Sequence, residues 1–268
     1  MREYVIKGMP YKNASGGTRA LYIFRDELRR RGFKAEVDAE QDLQDDEKIV
    51  VWCDALVSNP NLFPLKRTKR MVGWKLGDFG TFDRQYFDLV FYYADFFLDN
   101  VADRGNKLAV PIIERDLFNT DGCLAERSYS CFWCGKGDPE VSRKWLVEHQ
   151  GIREITYKSP ETREELAKIL KGCDILYTAD CNSALLEEAR LCGSIVCYIP
   201  NAGHLAPNRP EYLDAGFGIA GYALRDSTWD IQRARQTLFA FAGRYDTIIS
   251  TWHWDIENFI KKTQEKMA

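Results

Sequence analysis

The residues best suited to chemistry lie in one stretch, CDILYTADCNSALLEEARLCGSIVCYIP at 173–200. An apolar, β-rich run ends there in a polar loop, and a helical pattern starts at once. The first amides of a helix have no partner within it, and the helix dipole is positive at that end. Asn182 and Ser183 are therefore placed to hold a phosphate or diphosphate against backbone N–H groups. They serve equally well as an N-cap and an ordinary first-turn residue. Asp180, just before the helix, is either a carboxylate facing a bound ligand or a turn residue. Further along, Leu185, Leu186 and Ala189 can face a sheet. Glu187 and Glu188 point about 100° apart, so only one of them can face a ligand.

Two glycine-bearing loops offer a related surface. In CFWCGKGDPE at 131–140, Gly135 and Gly137 permit close approach of the backbone to a ligand, and Lys136 supplies a point charge for a diphosphate. The spacing is not that of a P-loop. In MPYKNASGGTRALYIFRDELRRRGF at 9–33, Gly16 and Gly17 open a helix that Ser15 or Thr18 can cap, again without a dinucleotide fingerprint. A base for deprotonating a hydroxyl is sought at strand ends. Asp54 follows KIVVWC, and Asp78 in WKLGDFG is preferred because Gly77 and Gly80 shape its loop. His204, in IPNAGHLAPNRPEY, is a binding candidate, with Arg209 as a further cation and Tyr198 or Tyr212 able to stack on a base. His149 and His253 read as structural. Cys131 and Cys134 form a C-x-x-C without a second pair at zinc spacing, in a segment that reads as strand, so no metal or redox function is expected of them.

The elements that must position these residues form two series. The first half alternates β-rich runs at 4–8, 34–37, 48–54, 70–75, 88–93 and 107–113 with a helix at about 18–31, where Leu21, Phe24 and Leu28 keep a helical period and Gly32 supplies the stop. A stretch without periodicity, 114–127, reads as a linker. The second half repeats the rhythm: strands at 128–135, 153–158, 173–179 and 194–200, helices at about 139–150, 161–171 and 182–193. The tail from about 228 to 264 reads as one or two helices, with Trp252 and Trp254 as large apolar surfaces. The expectation is α/β: two Rossmann-like domains, 1–113 and 128–240, and a helix at 241–268 packing back toward the first.

Composition narrows the function classes. Lysine and arginine total 37 against 40 acids, a formal charge of −3, so no global field draws in nucleic acid. The eight cysteines mostly sit in apolar runs and read as buried thiols. No segment approaches the roughly 20 apolar residues of a membrane span, so a cytoplasmic protein is expected. The aromatic and basic run NPNLFPLKRTKRMVGWK at 59–75 leaves room for peripheral contact with the inner face of a membrane.

The stretch 173–200 resembles the donor-binding motif of GT-B glycosyltransferases, of the family 1/4-like type that builds bacterial surface polysaccharides. Glu188, Ala189 and Gly193 occupy its Glu-Ala-x-x-x-Gly pattern. The loop at 131–140 resembles the opening of the donor domain, and 9–33 resembles the opening of the whole chain. The resemblance implies two domains facing a cleft and transfer of a sugar from a nucleotide sugar to a glycan or lipid-linked acceptor, with no metal and no resident cofactor. It gives Glu188 the ribose hydroxyls and Asp180 the place of a first acidic residue facing the donor sugar. Asp180 stands eight positions before Glu188 and lacks the usual Phe-Gly, so no stereochemical course follows. Two other readings stand beside this one: a non-catalytic sugar-nucleotide-binding module, and a nucleotide-sugar epimerase of the same fold.

Overall fold

The computed structural model describes residues 2–12, 15–38, 47–57, 70–77, 83–94, 97–98, 100–124, 126–180, 183–199 and 219–266. The chain divides into two compact units, Met1–Ile112 with Thr247–Ala268, and Ile113–Asp246.

In the first unit β1 (Tyr4–Lys7), β2 (Ala35–Asp38), β3 (Ile49–Cys53), β4 (Met71–Lys75) and β5 (Leu89–Tyr92) form a parallel sheet in the order β2-β1-β3-β4-β5. Strands β1, β3, β4 and β5 are buried along their whole length, as parallel strands covered on both faces require. Helix α1 (Gly16–Arg30) crosses from β1 to β2 and buries Leu21, Phe24 and Leu28. It ends in a Schellman motif: Phe33 N–H donates to Leu28 O at 3.1 Å and Gly32 N–H to Arg29 O at 2.9 Å, with Gly32 at φ +85°. A short helix, α2 (Asp54–Val57), follows β3 directly.

The second unit repeats this plan. Strands β6 (Tyr129–Trp133), β7 (Arg153–Ile155), β8 (Cys173–Thr178), β9 (Ile195–Tyr198) and β10 (Tyr222–Ala223) are parallel in the order β10-β9-β8-β6-β7. Counted within the unit, that is the same order as in the first. Helices α3 (Pro139–Glu148), α4 (Arg163–Gly172) and α5 (Ala184–Leu191) connect the strands. Helix α5 closes as α1 does: Ser194 N–H donates to Ala189 O at 2.9 Å, Gly193 N–H to Arg190 O at 3.0 Å, and Gly193 lies at φ +84°.

The tail is one helix, α6 (Thr228–Lys266), not a helix that begins at 241. Its first part belongs to the second unit, where Ala234 joins Ile175, Ile195, Cys197 and Ala223 in a core. Its last part covers the first sheet: the Phe259 ring meets Phe24 at 4.9 Å and Phe91 at 4.8 Å, and Thr263 Oγ1 lies 2.8 Å from the Tyr4 hydroxyl. Trp254, expected as an apolar anchor, is 68% exposed.

Two segments depart from their sequence pattern. Residues 107–113 form only an isolated bridge, Tyr92 to Lys107, although Leu108, Ala109 and Val110 are fully buried. Ala109 N–H goes instead to the Asp255 carboxylate and Ile113 N–H to the Tyr245 hydroxyl, while Pro111 has no N–H to give. The stretch 114–127 is part of the second unit rather than a free linker, with Phe118 fully buried and Arg127 donating to Cys173 O and Cys192 O. The seven described cysteines are free, five of them buried. No helix among the described residues is long and apolar enough to cross a membrane.

Candidate functional site

In a parallel sheet of this order, connections leave the carboxyl edge in opposite directions on either side of the first strand, and ligands bind in the crevice that opens there. In the second unit this switch point lies between β6 and β8. The β6 loop turns at Gly135, φ +55°, and enters α3, whose N-cap Asp138 accepts from Glu140 and Val141 N–H with Pro139 at the first helical position. Beyond β8 the chain folds back: Thr178 Oγ1 donates to Trp133 O at 3.0 Å and accepts from Asp180 N–H at 2.9 Å. This turn aims the buried Asp180 carboxylate across the crevice, where Oδ2 accepts from Lys136 N–H at 3.1 Å.

The two glycines are thus committed to packing between the loops. A Cβ on Gly135 would run into the Asp180 carboxylate and the Trp133 indole nitrogen, and one on Gly137 into the Ala179 carbonyl at 2.6 Å. The Lys136 side chain is exposed at the same edge. Trp133 is 3% exposed, and its Nε1–H has no hydrogen-bond partner among the described residues. The Tyr157 ring stands edge-on to it at 4.8 Å. Burial pushes the Tyr157 hydroxyl pKa up, and the Asp180 charge adds to the shift.

Helix α5 starts on the opposite side of the crevice. Ser183 is its N-cap, in extended conformation, and makes no side-chain capping bond. The residue expected in the first turn therefore takes the capping position, with its hydroxyl uncommitted to the helix. Of the two glutamates, Glu187 is half-buried, whereas Glu188 is 1% exposed and paired with Arg163 at the start of α4, Nη2 to Oε1 2.9 Å. On the far flank of α5, Arg190 is buried over the Phe241 ring at 3.8 Å, and burial lowers its pKa to about 10.

The first unit has its own switch point between β1 and β3. Ser15 caps α1, accepting from Thr18 N–H at 3.3 Å, and the Thr18 hydroxyl ties back to Lys12 O at 2.8 Å. Gly16 and Gly17 occupy the first turn, and a Cβ on Gly17 would meet nothing closer than 4.0 Å. Lys7, at the end of β1, pairs with Asp38 at the end of β2. Asp54, weighed as a base, is buried and accepts from the backbone N–H of Leu76 at 3.2 Å and of Gly77 at 2.9 Å. Asp78, Asn182, His204, Arg209 and Tyr212 lie outside the described residues.

The geometry therefore gathers Gly135, Lys136, Gly137, Asp180 and Ser183 around one crevice, sets Glu188 one turn further along α5, and places Gly16 and Gly17 in the other unit. Sequence reasoning missed Trp133 and Arg163. An indole at a strand end carries no pattern of its own. Near Arg163 the only signal is the capping sequence Thr162-x-x-Glu165, in which Thr162 accepts from Glu165 N–H at 3.1 Å.

No family model and no curated protein matches the chain. Among solved structures it is similar to a glycosyltransferase from Rickettsia africae, at 10% identity over 99% of this chain and 98% of the other with a TM-score of 0.48. It is also similar to the spinosyn rhamnosyltransferase SpnG complexed with thymidine diphosphate, at 12% identity over 99% and 100% of the two chains with a TM-score of 0.44. A third is an alpha-glucosyltransferase in complex with UDP, at 9% identity over 100% of both chains with a TM-score of 0.43. At these values the likenesses assign no residue a role.

Proposed function

We propose that this protein is a glycosyltransferase that moves a sugar from a nucleotide-sugar donor to a glycan or lipid-linked acceptor. The observation that carries the reading is the second switch point, where an exposed lysine and the start of a helix without a side-chain cap meet at one edge. Those are the groups that stabilise a departing nucleoside diphosphate: a point charge and preorganised N–H donors. Because protein groups supply this positive charge, the reading is of transfer without a resident metal.

In this reading Lys136, Asn182 and Ser183 take the diphosphate, Glu188 the ribose and His204 the donor. Asp180 acts on the loop, holding the Lys136 amide in place, rather than on the sugar. Gly16 and Gly17 give the acceptor a close approach in the first unit, and Asp78 is the candidate base. Work on cell-surface polysaccharide from the cytoplasmic side, peripheral to the membrane, fits an acceptor of this class.

The first experiment is thermal unfolding of the whole chain with UDP, thymidine diphosphate, CDP, GDP and ADP. A ligand bound only by the native state adds about 2.7 kcal/mol at a hundred times its Kd, so one nucleotide should raise Tm, and by less in Lys136→Ala. No shift with any of them would reject the reading. A shift without consumption of the matching nucleotide sugar on any acceptor would reduce it to a binding module.

A further inference from the structure

The connection from β7 to α4 folds into a tied turn just past the strand. Thr156 N–H donates to Ser159 O at 2.8 Å, and the Thr156 hydroxyl accepts from Lys158 N–H at 3.2 Å and from Ser159 N–H at 3.0 Å. Tyr157 is the residue that this turn presents. Its ring meets the Trp133 indole at 4.8 Å with the planes 68° apart, yet the residue is 55% exposed. The turn and the indole thus hold a large aromatic ring in place while more than half of it faces outward.

Its neighbours join that ring to the crevice. Trp133 ends β6, two residues before Gly135, where a Cβ would run into both the indole nitrogen and the Asp180 carboxylate. Asp180 accepts from Lys136 N–H, and its charge reaches the Tyr157 hydroxyl. Across the edge of the sheet the order is therefore the start of α5 past β8, then Asp180 and Lys136, then Trp133 on β6 and Tyr157 past β7. Neighbouring strands stand about 4.8 Å apart, so with β6 between them the ends of β7 and β8 are about 10 Å apart. A ribose fills such a gap between a diphosphate and its base. The other exposed aromatic residues described in the second unit, Trp229 and Phe239, belong to α6, which follows β10 at the opposite margin of the sheet, and Tyr198 is buried.

We infer that Tyr157 is the surface on which the base of a nucleoside diphosphate stacks. The inference rests on the reading of Lys136 and the start of α5 as the diphosphate site. Every base has a π face, so the ring gives affinity without choosing among bases. It acts on the nucleoside alone, and the diphosphate keeps its own contacts at Lys136 and α5.

The test is calorimetric binding of UDP, thymidine diphosphate, CDP, GDP, ADP and inorganic pyrophosphate to the whole protein and to three variants, each checked for wild-type unfolding. Tyr157→Ala and Tyr157→Leu should bind the nucleotides about tenfold more weakly, the order of one base–aromatic stack. Leucine covers Trp133 but has no π face. Tyr157→Phe should bind as wild type does, and pyrophosphate should bind all four proteins alike. Wild-type nucleotide affinity in the alanine or the leucine variant would overturn the inference. A loss shared by pyrophosphate would make the ring merely structural and overturn it as well. So would a loss confined to a nucleotide sugar such as UDP-glucose with UDP unaffected, because the donor sugar would then lie on the ring. Should Tyr157→Ala fail to fold, the leucine and phenylalanine variants decide. Wild-type protein that binds pyrophosphate as tightly as any nucleotide seats no base, which sinks the inference alone. Wild-type protein that binds none of these ligands would instead reject the reading of the site as a whole.

Discussion

The two units share a strand order and a helix ending, yet they use their carboxyl edges differently. In each, an aspartate after a strand reaches sideways to tie a neighbouring loop: Asp54 takes the amides of Leu76 and Gly77, and Asp180 takes the amide of Lys136. The first unit adds the Lys7–Asp38 pair across β1 and β2. The second leaves the start of α5 without a side-chain cap, where Ser15 caps α1 in the first. The same scaffold thus carries a helix start tied by its own side chain in one unit and one without such a cap in the other.

The sharpest way to break this comparison is through the ion pairs. Glu188→Ala should cost about 3 kcal/mol in urea unfolding, because the nearly buried Arg163 keeps only the exposed Glu114 carboxylate, 3.9 Å away, and the Phe118 ring. Asp38→Ala should cost less, about 1–2 kcal/mol, since the carboxylate it removes is 30% exposed and water can reach the otherwise buried Lys7 in its place. Equal costs would remove the distinction. Next come the glycines. Gly135→Ala places a Cβ against Asp180 and Trp133 at positive φ and should cost roughly 3 kcal/mol together with nucleotide affinity. Gly17→Ala, in open space on a helix, should be neutral or stabilising by up to about 1 kcal/mol. The smallest effect separates the aspartates. Asp54→Asn and Asp180→Asn should each lower stability by about 1–2 kcal/mol, but only the second should also weaken nucleotide binding. Weakened binding in Asp54→Asn would mean that the first edge takes part in it.

The sheets were legible because buried parallel strands are short continuous apolar runs, as in IVVWC and CDILYT. The same signal misleads at 107–113, where Pro111 and two side chains from α6 take the place of a neighbouring strand; partners about 130 to 150 residues away leave no local trace. In α6, Gly243 invites a break that packing on both sides overrides, with Phe241 and Tyr245 fully buried. At the site, the glycine loops and the start of α5 could be read from turn and cap chemistry. What Asp180 and Glu188 do with their charges could not, because their partners, Lys136 N–H and Arg163, arrive from other connections of the sheet.

Helix α6 also sets an order on synthesis. The first sheet is covered on one side by Phe259 and Thr263, which leave the ribosome more than two hundred residues after Tyr4 and Phe24. The second unit has all its residues by Asp246. During synthesis the second unit therefore has its full complement of residues before the first does, the opposite of completion from the N-terminus onward.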